Sequence, residues 1–210
     1  MALLGFAASA NADPHVYSIN PNIGNVAGGD TVTITGEGFL DEEIETVTFG
    51  GEEAVFTVDS DEQLTVVTPA HTAGTVAVMV IDINGAFSSK PDAFRYAEAP
   101  SITEVSPKEG PTGGGNTVTI TGSDFTGATK VLFGSTPATS FTVDSPNQIT
   151  AKVPAHAAGS AYVIVNTPAG ESANTAQSIY TYVAAPTVSL VTPSAGLPEG
   201  GDTVTIIGTG

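Results

Sequence analysis

The sequence predicts an all-β protein built as a tandem array of small β-sandwich domains. The stretch Gly28–Gly36 returns as Gly114–Gly122 and again as Gly200–Gly208, at equal steps of 86 residues (114 − 28 and 200 − 114). A repeat of this length with a β-type core indicates a series of similar domains. Within the stretch, Val32 and Ile34 alternate with threonines, which is the pattern of a strand with one buried face. The chain is also rich in glycine, proline, threonine and valine, a composition that favours short strands and turns over helices.

The first domain begins near Asp13-Pro14 and is expected to contain about seven short strands. Ile23–Asp30 is predicted to be a loop. Asp82–Gly85 is predicted to be a hairpin turn, because Asn-Gly accepts the positive φ angles that such turns require. Short strands separated by regular turn signals are typical of an immunoglobulin-like sandwich. The predicted strands are His15–Ile19, Thr31–Thr35, Thr46–Phe49, Ala54–Val58, Gln63–Val67, Gly74–Ile81 and Phe94–Tyr96.

The second domain repeats this plan, so we predict domains over residues 13–98 and 99–184. Pro14, Pro21, Gly24, Phe39 and Tyr96 correspond to Pro100, Pro107, Gly110, Phe125 and Tyr182. The linkers, residues 97–99 and 183–185, are short and each is followed by a proline, which predicts a semi-rigid rod.

Alternation and repeat equivalence together predict the buried core. In the first domain the predicted core residues are Val32, Ile34, Val47, Phe49, Phe56, Leu64, Val76, Val78, Val80 and Tyr96. In the second they are Val118, Ile120, Val131, Phe133, Phe141, Ile149, Tyr162 or Val163, Val165 and Tyr182.

Residues 185–210 match only the opening of a third copy, with strands expected at Val188–Val191 and Thr203–Ile207. One interpretation is a piece of a longer array, whose two strands are disordered or docked loosely on the second domain. The alternative is that these strands add to the sheet of a neighbouring molecule and build a filament.

Residues 1–12 differ from the rest of the chain and are excluded from the predicted fold. The apolar run Ala2–Ala8 and the small-x-small sequence Ala10–Ala12 resemble the end of an export signal, although the basic residues that open such signals are missing. This predicts a truncated leader of a secreted or cell-surface protein. The alternative is the N-terminal tail of a virion component.

Charge and composition exclude several classes of function. The formal net charge is −17, and such a surface repels phosphate backbones and anionic membranes. The five basic residues are scattered, so no nucleic-acid site is predicted; they are Lys90, Arg95, Lys108, Lys130 and Lys152. Cysteine is absent, which excludes disulfides and thiolate metal sites, and no apolar run reaches the length of a membrane span.

No catalytic or cofactor-binding residues are predicted. His71 and His156 occupy the same repeat position in two different domains, so we interpret both as loop residues before a strand. The glycine-rich stretch Gly110–Thr117 lacks the lysine of a phosphate loop and precedes a strand rather than a helix, which favours a turn. No serine lies in a Gly-x-Ser-x-Gly elbow.

Acidic residues of the first domain are the one candidate site. Their carboxylates could supply the oxygen ligands that calcium prefers. The second domain has Thr126, Thr129, Pro146 and Asn147 in this region, so a site would be private to the first domain. The alternative is a solvated edge that discourages strand-to-strand aggregation. The candidate residues are Asp41, Glu42, Glu43, Glu45, Asp59, Asp61 and Glu62.

The order of motifs in each copy resembles the IPT/TIG family, the immunoglobulin-like, plexin and transcription-factor domains. The motifs are Pro-x-Ile/Val-x-x-Val/Ile-x-Pro, then Gly-Gly-Asx-Thr-Val-Thr-Ile-Thr-Gly, Phe-Gly, Pro-Ala-His-x-Ala-Gly and a final strand ending in tyrosine. The resemblance covers Pro14–Tyr96 and Pro100–Tyr182 in full, and Pro186–Gly210 in part. It implies two complete immunoglobulin-like (E-set-like) sandwiches and one partial copy. Copies this alike and this acidic resemble bacterial surface or phage-appendage repeats.

Two functions are compatible with these observations. The first is a non-enzymatic structural or adhesion module that spaces or displays protein or glycan partners at a cell surface or viral appendage. The second is an accessory carbohydrate-binding module of a polysaccharide-active protein, which the resemblance also allows. Sugar-binding faces present exposed aromatic rings, whereas tryptophan is absent and the tyrosines at 17, 96, 162, 180 and 182 fall mostly on predicted strands near domain ends. The rod is therefore preferred.

Overall fold

The computed structural model of the chain describes residues 13–40 and 43–210. Regular structure in these residues is almost entirely β-strand, and their one helix is a single 3₁₀ turn over Ala176–Ser178. The chain divides into two compact units. One contains the residues up to Pro100 together with Asn166–Ser172, and the other contains Ser101–Val165 with Ala173–Gly210. The predicted all-β class is confirmed.

The first domain is a sandwich of two sheets. One sheet has the strand order β1-β3-β7-β6 and the other has the order β2-β9-β8-β4-β5. Side chains from both sheets form one apolar cluster, because alternate residues of each strand point to the same face. The strands are β1 (His15–Asn20), β2 (Ile23–Asn25), β3 (Thr31–Glu37), β4 (Ile44–Phe49), β5 (Glu52–Glu53), β6 (Val55–Ser60), β7 (Gln63–Val67), β8 (Gly74–Asp82) and β9 (Phe87–Ala97).

The second domain has the same architecture. Its sheets have the orders β10-β12-β16-β15 and β11-β19-β17-β13-β14, with β18 paired to β17. The strands are β10 (Ser101–Ser106), β11 (Glu109–Pro111), β12 (Thr117–Ser123), β13 (Lys130–Phe133), β14 (Thr136–Pro137), β15 (Ser140–Ser145), β16 (Gln148–Lys152), β17 (Gly159–Thr167), β18 (Gly170–Glu171) and β19 (Ile179–Val183).

The predicted core residues are buried or pack against the core. Val32, Ile34, Val118 and Ile120 have no exposed surface, which confirms the register of the repeated strand. Of the pair left open, Val163 is the buried residue, whereas Tyr162 is 42% exposed. Three predicted residues lie at the margin of the core and are only partly buried: Phe56, Val76 and Phe141. Aromatic residues that the prediction left out complete the two cores, namely Phe39, Phe94, Phe125 and Tyr180.

Of two local predictions, the loop at Ile23–Asp30 was wrong in part, whereas the hairpin at Asp82–Gly85 is confirmed by the antiparallel pairing of β8 with β9 and only its turn geometry differs. The predicted loop Ile23–Asp30 begins with the short strand β2, which pairs in parallel with β9. Three residues within a loop give no alternation to detect, so this strand depends on a tertiary contact. In the turn 82–85 only Gly85 has a positive φ (83°), so Asn84 does not use the left-handed conformation that the Asn-Gly pair suggested. Instead, the buried Asp82 carboxylate accepts hydrogen bonds from the backbone N–H groups of Asn84 (2.8 Å) and Ala86 (2.9 Å).

The third copy forms a two-stranded antiparallel hairpin from β20 (Thr187–Thr192) and β21 (Thr205–Thr209). The second strand lies two residues later than the predicted Thr203–Ile207. Positions that are buried in the complete domains are solvent-exposed here, and Ile206 is 62% exposed where Ile120 is fully buried. Pairing of this hairpin with a neighbouring molecule stays a prediction.

The loop before the repeated strand is held by a side-chain hydrogen bond in every copy. In the second copy the residues that make this bond differ at three positions together. In the first domain the Asp30 carboxylate accepts a hydrogen bond from the backbone N–H of Asn25 (2.6 Å), and Asp202 accepts one from Leu197 in the third copy (2.6 Å). In the second domain the position of Asn25 is Pro111, which has no N–H to donate.

The second domain satisfies this loop in another way. Asn116 replaces the aspartate, and its amide donates to the hydroxyl of Tyr180 (2.9 Å), which stands where the first domain has Phe94. The hydroxyl of Tyr180 and the amide of Asn116 therefore occur together, in the one complete copy whose loop lacks the N–H donor.

This coupling gives a prediction. Tyr180→Phe should lower the free energy of unfolding by about 1–3 kcal/mol, because the Asn116 amide loses its partner in a partly buried loop. The triple variant Tyr180→Phe, Asn116→Asp, Pro111→Asn has the residues of the first domain at all three positions. It should recover part of the lost free energy of unfolding. Urea denaturation measures both effects. A triple variant no more stable than Tyr180→Phe alone would show that the three positions are independent.

Candidate functional site

The two repeated histidines pack against the last tyrosine of their own domain. The rings of His71 and Tyr96 are stacked with centroids 5.1 Å apart, and those of His156 and Tyr182 are stacked at 4.8 Å. The backbone N–H of His71 also donates to the carbonyl of Val26 (2.9 Å), which fixes the loop before β3. Because both copies make the same contacts within the fold, the geometry favours a structural role for these histidines.

The stacked tyrosines are neutral at physiological pH. Burial, with a smaller contribution from the charge of Asp30, raises the pKa of Tyr96 to about 12, and its hydroxyl donates to the carbonyl of Pro69 (2.9 Å). Burial and the neighbouring Tyr180 raise the pKa of Tyr182 to about 12. Neither phenol is therefore poised to act as an acid or base near neutral pH.

Two of the acidic candidates of the first domain, Asp59 and Asp61, accept hydrogen bonds from groups of the same domain. The Asp59 carboxylate accepts hydrogen bonds from the hydroxyl of Thr65 (2.7 Å) and the side-chain amide of Gln63 (3.3 Å). The Asp61 carboxylate accepts one from the backbone N–H of Leu40 (3.0 Å). Asp144 of the second domain makes the same contact, with Thr150 (2.7 Å), so the Asp59 position is shared by both copies rather than private to the first.

The remaining candidates are either exposed or outside the described part of the chain. Glu43, Glu45 and Glu62 are exposed, and Asp41 and Glu42 lie outside the described residues. Within residues 13–40 and 43–210, no three histidine, aspartate or glutamate side chains are grouped closely enough to hold a metal ion. The calcium site stays a prediction of the sequence, now with fewer free carboxylates to support it.

We expect calcium to change the thermal unfolding midpoint of either domain by no more than about a few tenths of a degree. A ligand that binds only the folded state adds stability that grows with the logarithm of one plus the ratio of its concentration to its Kd, so a real site would give a larger shift. Calorimetry with and without millimolar calcium makes the measurement. The second domain serves as the internal control, and an increase of several degrees confined to the first transition would contradict the expectation.

An exposed aromatic group lies on the β1-β3-β7-β6 sheet of the first domain. Val16 faces Gly36 and Ser18 faces Thr35, so Tyr17 is the extra residue of a β-bulge. Its side chain is 50% exposed, and the ring of His15 meets it at 5.1 Å between centroids in an edge-on arrangement.

Carboxylates and polar side chains surround Tyr17. Hydrogen bonding to Glu37, followed by desolvation and the negative charges of Glu37 and Glu62, raises the pKa of Tyr17. The ring borders a shallow depression of about 350 Å³, whose other walls include Thr35, Ser60 and Gln63. We call this group the Tyr17 patch: His15, Tyr17, Thr35, Glu37, Glu62 and Gln63.

Sequence reasoning missed the Tyr17 patch, although the repeats contain a signal for it. The residues at the bulge position of the three copies are Tyr17, Thr103 and Ser189. Two small hydroxyl residues beside one tyrosine mark this position as different in the first copy. The neighbouring acids could not be assigned to the same surface, because Glu62 comes from a turn between two other strands.

Comparison with known proteins places the chain in a family. The model of the IPT/TIG domain matches residues 14–96 and 100–183. The chain therefore belongs to the IPT/TIG family, with two complete domains.

Two curated relatives are fibrocystin-L proteins. The human protein is 35% identical over 117 residues, and the mouse protein is 37% identical over 115 residues. These matches cover 53% and 54% of this chain but only 3% of each relative, so the chain corresponds to a small part of those proteins.

Solved structures show the same fold. The full extracellular region of plexin A4 is similar with a TM-score of 0.56 and 23% identity, over 89% of this chain and 17% of that one. A second structure of this region has a TM-score of 0.52, again at 23% identity, over 84% of this chain and 19% of that one. None of the helical structure in the described residues has the length and apolar character needed to cross a membrane.

Proposed function

We propose that this chain is a non-enzymatic structural segment of a secreted or cell-surface protein, in which tandem IPT/TIG domains hold other parts of the molecule or its partners at a set spacing. The observation that carries the proposal is that the polar and aromatic residues repeated between the two domains serve the fold itself. His71 and His156 stack on tyrosines, and Asp59 and Asp144 each bind a threonine of their own sheet.

The extracellular location that we propose is supported by the proteins that share this fold. The plexin A4 structures that share it are extracellular regions. The net charge of −17 suits a well-solvated surface outside the cell and disfavours binding to nucleic acid. The partners we propose are proteins or cell-surface glycans.

The sequence of the linkers supports spacing over flexible tethering. Only residues 98–99 separate the last strand of the first domain, which ends at Ala97, from Pro100, and residues 184–185 lie between Val183 and Pro186 in the same way. A proline fixes its own φ and restricts the residue before it, so a connection this short has few conformations.

Distance measurements between the domains test this proposal. The chain has no cysteine, so spin labels can be placed at Ser60→Cys and Ser145→Cys, the equivalent exposed ends of β6 and β15. We expect one narrow distribution of label-to-label distances by pulsed electron paramagnetic resonance. A control in which residues 98–99 are replaced by a longer Gly-Ser segment should broaden it. An equally broad distribution with the native linker would contradict the spacing role.

A further inference from the structure

The residue at the β-bulge performs a structural task in the second and third copies. The hydroxyl of Thr103 donates to the backbone carbonyl of Thr121 (3.1 Å), and that of Ser189 donates to the carbonyl of Ile207 (3.0 Å). Each short side chain thus satisfies a carbonyl of the facing strand where the bulge interrupts the ladder.

Tyr17 occupies the same position in the first copy and makes a different contact. Its ring borders the same depression as Glu37, at the end of β3, and half of its surface is exposed to solvent. An exposed aromatic ring at a position that elsewhere holds a small capping hydroxyl does not serve the fold in the way its equivalents do. This points to a role on the surface.

The residues around Tyr17 also differ between the domains: the first domain has ionisable side chains where the second has uncharged polar ones. His15, Glu37 and Glu62 of the first domain correspond to Ser101, Ser123 and Asn147 of the second. The aromatic ring, its histidine neighbour and both carboxylates are therefore found together in the first domain only, on one sheet and beside one depression.

The chemistry of the patch suits a sugar ring. An exposed aromatic face packs against the C–H face of a pyranose, while carboxylate oxygens accept hydrogen bonds from its hydroxyl groups. The hydroxyls of Thr35 and Ser60 and the amide of Gln63 add groups that can also donate. These side chains complement a ligand that donates and accepts hydrogen bonds along one edge and has an apolar face.

The negative charge of the patch disfavours anionic ligands. Glu37 and Glu62 repel carboxylated, sulfated or phosphorylated sugars, and the net charge of −17 adds to that repulsion. The side chain of a lysine or arginine has donors only, so it would pair with the two carboxylates but leave the donor groups of the patch without acceptors. We propose that the Tyr17 patch binds a neutral pyranose unit of a glycan, a recognition function that goes beyond spacing.

Titration of the intact chain with defined oligosaccharides tests this inference. The probes are cellohexaose, maltohexaose and mannohexaose as neutral glycans, with hexagalacturonic acid and hexalysine as the anionic and cationic controls. We expect at least one neutral probe to shift the amide resonances of Tyr17, Thr35 and Gln63 in a saturable way. Neither control should do so.

Tyr17→Thr is the matched variant, because it installs the residue that the second domain carries at the same bulge. It should fold normally and weaken glycan binding by about tenfold or more through loss of the aromatic surface. Tyr162→Thr removes another exposed tyrosine, 42% accessible, and should leave binding unchanged. This test does not use the label-to-label distances, so its result is independent of the test of the spacing role.

Three results would overturn the inference. One is the absence of saturable shifts with all three neutral probes. Another is binding of hexalysine alone, which would identify the patch as a site for a basic peptide. The third is glycan binding that survives Tyr17→Thr undiminished, which would place the sugar elsewhere on the chain.

Discussion

Ile120→Ala should lower the free energy of unfolding of the second domain by about 2–5 kcal/mol. Ile120 has no exposed surface and lies in the middle of β12, between β10 and β16. Its removal costs both the transfer energy of the lost methyl and methylene groups and the cavity that the rigid sheets cannot close. Urea denaturation followed by circular dichroism gives the change.

The third copy supplies a matched control for this substitution. Ile206 is the repeat equivalent of Ile120 but is 62% exposed. Ile206→Ala should therefore change stability by less than about 0.5 kcal/mol. Equal effects of the two substitutions would mean that burial does not distinguish them and that the assigned core is wrong.

Gly122→Ala should destabilise the second domain by about 3 kcal/mol, since the added methyl group meets atoms that cannot move away. A Cβ atom at Gly122 would overlap the backbone carbonyl of Ser101, and it would lie 2.6 Å from the ring of Phe125. The glycine faces Ile102 at the bulge, where the two strands approach closely. The obstruction is backbone, so the strand pairing itself must shift.

Gly113→Ala is the control for this prediction. Gly113 lies in the glycine-rich loop, and a Cβ atom there meets nothing within 4 Å. Its replacement should change the free energy of unfolding by no more than about 0.5 kcal/mol. If Gly122→Ala proves as harmless as Gly113→Ala, the close approach of β10 and β12 is incorrect.

The repeated strand could be predicted from the sequence because several signals agreed on it. Val32 and Ile34 alternate with threonines, and the same alternation recurs with Val118 and Ile120. The period of 86 residues then fixed which loops and strands correspond. Alternation does not explain the final glycine of the stretch: at Gly36 and Gly122 the facing backbone leaves no room for a side chain.

Other features were set by contacts between distant residues. The strand β2 forms through parallel pairing with β9, about 70 residues further on, and three residues carry no periodic pattern of their own. Phe94 and Tyr180 are central to the cores, yet only the last tyrosine of each strand, Tyr96 or Tyr182, was among the predicted core residues.

The Tyr17 patch shows the same limit for a site. Its members come from β1, β3, the β6–β7 turn and the start of β7, and only the pairing of these strands brings Tyr17, Glu37 and Glu62 together. The repeat comparison could have marked Tyr17 as unusual, since Thr103 and Ser189 take its place in the other copies. It could not have supplied the neighbours.

Each complete copy has the apolar core of a self-sufficient module. The apolar cluster of the first domain contains only residues between Val16 and Tyr96, and that of the second only residues between Ile102 and Tyr182. Each domain should therefore fold on its own core.

Calorimetry of the fragments Asp13–Glu98 and Ala99–Ala184, beside the intact chain, tests this claim most directly. We predict that each fragment unfolds in one cooperative transition, and that the two midpoints match the transitions of the intact chain to within about a few degrees. A fragment that shows no cooperative transition, or a large loss of stability on separation, would contradict the modular account.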